Sequence, residues 1–320
     1  MEQDDICTRQ MVWKNNSRFC LFSSISLKHY PVITTIEFAT HLTMTTPATV
    51  APPQKHILIS GAAQGIGRCL ARHFLQRGHK VFILDVNEDE LVYTATVHLK
   101  EHLNKTLGYA LCNLRSVDEI RATAKKAADF FDGHIDVLIN NGGISTPFWK
   151  DGATMEEQST IDQWIAYVET NLTAPFALSQ ACIPYMKVST EDELRKLEGP
   201  GPCIIHVSSF RMLQSDPNQE GYASTKAGLL GLTHSMAVSM AKFGIRVNLI
   251  APGRIRVAHE CKQGDEQSKE WQIEGDDAEK HATNRAGKPE DIAECAEWLI
   301  GAGFVTGQDV TVDGGVTKTK

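Results

Sequence analysis

The chain has 320 residues, 42% of them hydrophobic and 22% charged, enough to bury one substantial α/β core. Its formal net charge is −7 and no basic stripe runs along it, which argues against nucleic acid as a partner. No run is apolar enough over sufficient length to span a bilayer, and no C-x-x-C pair marks a zinc centre, so neither membrane nor metal is expected.

Residues 1–54 are of mixed polarity and close on the linker-like Thr45-Thr46-Pro47-Ala48-Thr49-Val50-Ala51-Pro52-Pro53-Gln54. They are expected to be disordered and dispensable for catalysis, with Met44 as an alternative start. Glu2, Asp4 and Asp5 argue against a transit or secretory signal. The cysteines (7, 20, 69, 112, 182, 203, 261 and 295) are scattered, several within apolar runs. That suits buried thiols in a reducing compartment, and a cytoplasmic location is the expectation.

A folded domain is expected over residues 55–320. The apolar run Lys55–Ser60 meets the turn Gly61-Ala62-Ala63-Gln64-Gly65-Ile66-Gly67. A helical pattern follows from Arg68 and is closed by Gly78. Backbone N–H groups in such a strand–turn–helix can hold a pyrophosphate. The next strand, Lys80–Asp85, ends in an acid eighteen residues after Gly67. A βαβ unit puts that carboxylate near the adenosine ribose hydroxyls, where it repels a 2′-phosphate and favours NAD(H). Arg68 and Arg72 are the basic residues of this region, and Arg68 leaves NADP(H) open.

Further strand-like runs at 107–112, 135–140, 203–208, 245–250 and 309–313 alternate with helical ones. The alternation predicts a Rossmann-type, doubly wound parallel sheet with helices on both faces. Such sheets bind ligands beyond the carboxyl ends of their strands, where Asp85, Asn141, Ser209 and Pro252 fall. The polar stretch Val188–Gly199 reads as a surface loop or short helix.

Tyr222 and Lys226 stand four residues apart at the start of an apolar helical run, thirteen residues after Ser209. The i, i+4 spacing puts both on one helix face. A free tyrosine, with a pKa of about 10, is a poor acid–base group near neutrality, and a lysine ammonium beside it favours the phenolate. Ser209 ends the strand Cys203–Ser209 and can hydrogen-bond a substrate oxygen next to the tyrosine. His206, inside that strand, reads as a core histidine. Residues 256–284 hold Trp271 and many acids, including Asp265, Glu266, Glu270, Glu274, Asp276 and Asp277. That charge is expected to keep the segment solvated and mobile.

From about His56 to Gly315 these residues resemble the short-chain dehydrogenase/reductase family. Ser60–Gly67 looks like the family's T-G-x-x-x-G-I-G turn, and Ile139-Asn140-Asn141-Gly142-Gly143 like its N-N-A-G segment. Asn171, Ser209, Tyr222 and Lys226 match its four catalytic positions. Asn248–Ile255 resembles the N-x-x-x-P-G-x-I segment that flanks the nicotinamide, and Gly307–Gly315 the closing V-D-G-G strand. The departures are Ser60 for threonine, Gly143 for alanine and Asn113 where an aspartate often meets the adenine amino group. Arg256 and Val257 stand where a threonine often contacts the carboxamide.

The resemblance implies an oxidoreductase acting on a secondary alcohol or its ketone. Tyr222 is then the acid–base group, Lys226 its tuner and ribose ligand, Ser209 the carbonyl-orienting hydroxyl and Asn171 the holder of a relay water. The cofactor would lie on Gly61, Gln64, Gly65, Ile66, Gly67, Asp85, Asn113, Leu114, Asn141, Tyr222, Lys226, Pro252, Gly253 and Ile255. Residues 256–284 correspond to a mobile substrate lid, and similar enzymes pair as homodimers or homotetramers. The competing reading is a nucleotide-binding sensor or scaffold without turnover, which the fold alone permits.

Overall fold

The computed structural model describes residues 53–188, 190–196, 199–273 and 275–318. The expectations for residues 1–52, including the alternative start at Met44, lie outside these.

Seven parallel strands form one sheet: β1 (His56–Ser60), β2 (Lys80–Asp85), β3 (Leu107–Leu111), β4 (Val137–Asn140), β5 (Cys203–Val207), β6 (Arg246–Pro252) and β7 (Asp309–Val312). Their order is β3-β2-β1-β4-β5-β6-β7, so the chain reverses its winding between β1 and β4. This is the doubly wound topology predicted from the alternation, with every predicted strand in place. The crevice at such a reversal is where these sheets take ligands.

Alternating strand residues build two cores because successive side chains point to opposite faces. Ile57, Ile59, Val81, Ile83, Ile139 and Ile205 face α1 (Gly65–Gln76) and α10 (Pro289–Gly301). Leu58, Phe82, Leu84, Leu138, Ile204 and Val247 face α3 (Val117–Phe130), α5 (Ala174–Met186) and α7 (Glu220–Met240). Strands β1, β4, β5 and β6 read as nearly unbroken apolar runs because both of their faces are covered.

Four other segments complete the fold. Helix α2 (Glu88–Tyr93) runs into a π-helical turn, Thr94–His98. Helix α4 (Ile161–Val168) continues through a second π turn, Glu169–Thr173, into α5. Within the Val188–Gly199 stretch lies a short helix, α6 (Glu191–Arg195), opened by a capping box between Thr190 and Glu193. The segment after β6 carries α8 (Lys262–Glu266) and α9 (Asp277–Lys280). Among the described residues no helix is long and apolar enough to cross a membrane.

Candidate active site

The glycine turn is built by close approach. Gly61 and Gly65 adopt positive φ, at 64° and 61°. A Cβ on Gly67 would stand 2.1 Å from the Gly61 carbonyl oxygen, so only glycine lets α1 start this close to the strand. The turn is braced from the end of β4: Asn141 Nδ2 donates to the Ser60 and Gly61 carbonyls at 3.2 and 2.8 Å. The Ser60 hydroxyl accepts the Gly142 N–H at 3.0 Å, which is the hydroxyl role that a serine here preserves. Asn141 therefore holds the turn's shape with the side chain that the resemblance assigned to cofactor contact.

Asp85 sits at the rim of this turn. One carboxylate oxygen accepts the Val86 and Asn87 amides at 2.8 and 3.0 Å; the other accepts the Ala63 amide at 3.1 Å. Its position is thus fixed by three backbone donors. Beyond β3, the Asn113 side-chain oxygen accepts the Arg115 amide at 3.0 Å, and Leu114 packs against Gly142. At the far end of the cleft Pro252 is buried, and the Gly253 amide donates to Val312 at 2.8 Å. A Cβ on Gly253 would meet the Asp313 backbone at 2.6 Å. Ile255 bridges to Gly287.

The structure brings Ser209, Tyr222 and Lys226 together. Ser209 leaves β5, accepts the Arg211 amide at 3.2 Å and brings its hydroxyl near the Tyr222 phenol. Tyr222 and Lys226 occupy one face of the first turns of α7. Lys226 Nζ donates to the Val207 carbonyl at 3.0 Å and lies 5.6 Å from the centre of the Tyr222 ring. Burial lowers the lysine pKa to about 8. Burial also raises the phenol of Tyr222, with the neighbouring Ser209 hydroxyl pulling the other way. This corrects the expectation of a phenol lowered by the lysine: the ammonium is desolvated and spends its hydrogen bond on a carbonyl.

Asn171 stands in the π turn between α4 and α5. Single π turns inserted in α-helices recur at functional sites. Its side chain clamps the loop after β4, with Oδ1 accepting the Ile144 amide at 2.7 Å and Nδ2 donating to the Ile144 carbonyl at 3.2 Å. A Cβ on Gly143 would be 2.9 Å from Asn171 Oδ1 and 3.7 Å from Lys226 Nζ, so the glycine lies between the two side chains.

Other participants escape a motif-based reading. Tyr167, fully buried, packs edge-on to Tyr222 at 6.4 Å and to Trp149 at 5.8 Å, and Trp149 Nε1 donates to Glu220 at 3.0 Å. These aromatic rings wall the phenol. Tyr167 lies one helical turn before Asn171, which is the only signal the sequence offered. His206 is a buried core histidine whose Nδ1 accepts from Asn140 at 3.2 Å, and burial lowers its pKa to about 4.

The segment after β6 also differs from expectation. Arg68 and Arg72 do not stand free at the cofactor turn. The Arg68 guanidinium is buried against Glu260 and Asp265, both at 2.8 Å, and Arg72 is paired with Glu260 and Glu290. Asp265 and Asp277 are consumed by ion pairs, Asp277 with Arg256 at 2.9 Å, so these two acids do not simply solvate a mobile lid. Trp271 Nε1 donates to the Gly287 carbonyl at 3.2 Å.

The family described as "Enoyl-(Acyl carrier protein) reductase" matches residues 61–317, nearly the whole of the described domain. The chain belongs to the short-chain dehydrogenase/reductase family. It is an oxidoreductase fold with a nucleotide-binding Rossmann architecture. An uncharacterized oxidoreductase of Thermotoga maritima is 30% identical over 82% of this chain and 96% of its own. The same organism's 3-oxoacyl-[acyl-carrier-protein] reductase FabG is 31% identical over 82% of this chain and 97% of its own. Among solved structures, a 3-oxoacyl-[acyl-carrier protein] reductase from Brucella melitensis with bound NAD is 29% identical. It superposes with a TM-score of 0.65 over 83% of this chain and 92% of its own. An apo SCOR enzyme from Clostridium thermocellum, 27% identical, gives 0.66 over 83% and 94%.

Proposed function

We propose that this short-chain dehydrogenase/reductase moves a hydride between NAD(H) and a secondary alcohol or its ketone. The observation that carries the reading is the meeting of Ser209, Tyr222 and buried Lys226 at the carboxyl end of β5, with the lysine Nζ 5.6 Å from the centre of the Tyr222 ring. The glycine turn and the Asp85 carboxylate lie across the same cleft.

The cradle fits a dinucleotide. The tight approach at Gly61 and Gly67 sets the start of α1 against the strand, where the amides around Gln64 and Ile66 would take a pyrophosphate beside the Gly65 amide, itself bonded to the Glu260 carbonyl at 2.7 Å. Asp85 would take the adenosine ribose hydroxyls, Asn113 and Leu114 would flank the adenine, and Lys226 would bind the nicotinamide ribose. Pro252, Gly253 and Ile255 would flank the nicotinamide. When bound, the nicotinamide supplies or accepts the hydride. Tyr222 would hold or release the proton at the substrate oxygen, which Ser209 would orient. Asn171 would fix the loop after β4 and hold a relay water.

Asp85 supports NAD(H), and so does the burial of Arg68 in ion pairs with Glu260 and Asp265, which takes up the basic residue that had left NADP(H) open. The substrate is a small molecule, and the enzyme is proposed to work as a homodimer or homotetramer. Exposed Ile161, Trp164 and Ile165 on α4 and Phe176 on α5 give it an apolar face to pair through.

Parallel fluorescence titrations with NADH and NADPH, followed by a panel of ketones, sugars, polyols and 3-oxoacyl thioesters, test this. Tighter NADH binding with steady turnover of one class supports it. Binding without any turnover favours the sensor reading, and tighter NADPH binding overturns the Asp85 argument.

A further inference from the structure

Glu260, in the segment that follows β6, is buried at 1% exposure. Both of its carboxylate oxygens are taken by arginines of α1. Arg68 Nε donates to Oε2 at 2.8 Å and Arg72 Nη1 to the same oxygen at 2.9 Å, while Arg72 Nη2 pairs with Oε1. Two arginines four residues apart on one helix thus grip one carboxylate. Burial alone pushes the Glu260 carboxyl up, but the Arg72 and Arg68 contacts outweigh it and the net direction is down. The charge is therefore kept.

The contacts continue on both sides of this centre. The Glu260 carbonyl accepts the Gly65 amide at 2.7 Å, so the segment lies on the glycine turn itself, and Val257 packs 3.8 Å from the position of a Gly65 Cβ. Arg68 also donates to the His259 carbonyl at 2.8 Å and makes two bonds to Asp265, at 2.8 and 3.1 Å. Asp265 in turn meets His98 of the first π turn at 3.0 Å. The Lys262 amide donates to Glu90 of α2 at 2.9 Å. The residues that continue from the Pro252–Ile255 strand end are thereby tied to α1, to α2 and to the turn beside Asp85.

We propose that Glu260 is a positioning residue for the cofactor cleft. By gripping Arg68 and Arg72 it holds Val257–Asp265 across the glycine turn, so the strand end at Pro252–Ile255 and the Asp85 side are set at one spacing. This rests on the reading that the cleft takes a nicotinamide dinucleotide. A dinucleotide must contact both sides at once, and a cleft of preset width binds it without ordering the segment first. The mechanism is preorganisation, with no contact between Glu260 and the cofactor.

The test is NADH affinity in two variants of the full chain. Glu260→Gln keeps the shape and removes the charge. Arg68→Met, Arg72→Met and Glu260→Met together replace the whole grip with apolar side chains, a change that buried ion clusters often tolerate in stability. Each folded variant is expected to bind NADH at least about tenfold more weakly than the natural chain. AMP, which spans only one side, is expected to bind within about twofold of the natural value, by the same free-energy scale. NADH is also expected to lose its ability to slow hydrogen exchange over residues 257–265. Parallel losses for NADH and AMP would indicate a merely structural role and overturn the proposal. An unchanged NADH affinity in either folded variant would overturn it too. Should the triple variant not fold, Glu260→Gln alone decides between the same outcomes. A natural chain that binds neither NADH nor NADPH would instead overturn the dinucleotide reading and this inference with it.

Discussion

Lys226 sits over the face of the Tyr222 ring, 5.6 Å from its centre, and gives its hydrogen bond to the Val207 carbonyl. Burial holds the phenol above its ordinary pKa, so Tyr222 is protonated at neutrality before any ligand arrives. A protonated phenol suits donation to a ketone, and alcohol oxidation needs the phenolate. Ketone reduction is therefore expected to hold its rate through neutral pH and fall in the alkaline range. Alcohol oxidation is expected to climb into that range. Initial rates in both directions from pH 6 to 10, with pH 10 about the ordinary phenol pKa, check this. Oxidation that peaks below neutrality would contradict it.

Removing the phenolic oxygen isolates the proton step. Tyr222→Phe keeps the edge-on packing against Tyr167 and deletes the hydroxyl that lies near Ser209. Turnover is expected to fall by roughly 10²–10⁴, the range of a lost general acid or base. NADH affinity is expected to stay within about twofold, because the ring remains in place. Steady-state kinetics with a parallel titration measure both, and turnover within tenfold of the natural chain would remove Tyr222 from the proton role.

Lys226 is 5% exposed, and its pKa of about 8 lies below the 10.5 of a free lysine. The unfolded chain therefore binds more protons than the folded one between those values, and stability rises with pH across that window. Below it, the folded state bears the cost of a buried ammonium. Lys226→Met is expected to be more stable than the natural chain at pH 7, by roughly 1–3 kcal/mol, while losing activity. It is also expected to flatten the rise in stability between pH 8 and 10.5. Urea denaturation at several pH values settles the sign, and a less stable methionine variant at pH 7 would show that the lysine's hydrogen bond outweighs its desolvation.

The cofactor preference is open to a direct exchange. Val86, 65% exposed, follows the Asp85 carboxylate at the rim of the turn. Asp85→Ser with Val86→Arg removes the charge that repels a 2′-phosphate and adds one that attracts it. The serine hydroxyl can still accept one of the three amides now bound by the aspartate. The ratio of kcat/KM for NADPH over NADH is expected to rise at least about a hundredfold, the scale of two charge-assisted contacts. An unmoved ratio would place the preference elsewhere in the cleft.

The strands were legible because both faces of the central ones are buried, so their apolar runs stand out against the polar turns. Asp85 and the glycines were legible for a different reason: close backbone approach and a fixed strand end leave few residue choices. The grip of Glu260 was not. Arg68 and Arg72 are four apart on a helix whose neighbours Cys69, Leu70 and Ala71 are buried, which shows that a buried acid must answer them. Which acid does so is fixed by a contact across 192 residues, and no local pattern encodes that separation. Tyr167 was hidden likewise, since its partner Tyr222 lies on another helix. The electrostatics at Lys226 were misjudged because spacing places two side chains on one face without saying how far both are removed from water.

His206 carries the last consequence of that desolvation. It is wholly buried in β5, accepts from Asn140 and lies within electrostatic reach of Lys226, and burial with the lysine's charge lowers its pKa to about 4. The unfolded histidine takes up its proton near 6.5, so between 6.5 and about 4 the unfolded chain holds the extra proton. The stability of the neutral folded form is therefore complete above 6.5 and drains away as the pH falls toward 4. The full difference corresponds to about 3 kcal/mol. His206→Asn keeps a polar partner for Asn140 and cannot titrate. It is expected to lose less stability than the natural chain between pH 7 and 4.5, measured by urea denaturation at each pH. Equal acid sensitivity in the two chains would assign the acid lability to other groups, with the carboxylates around Arg68 and Arg72 the next to examine.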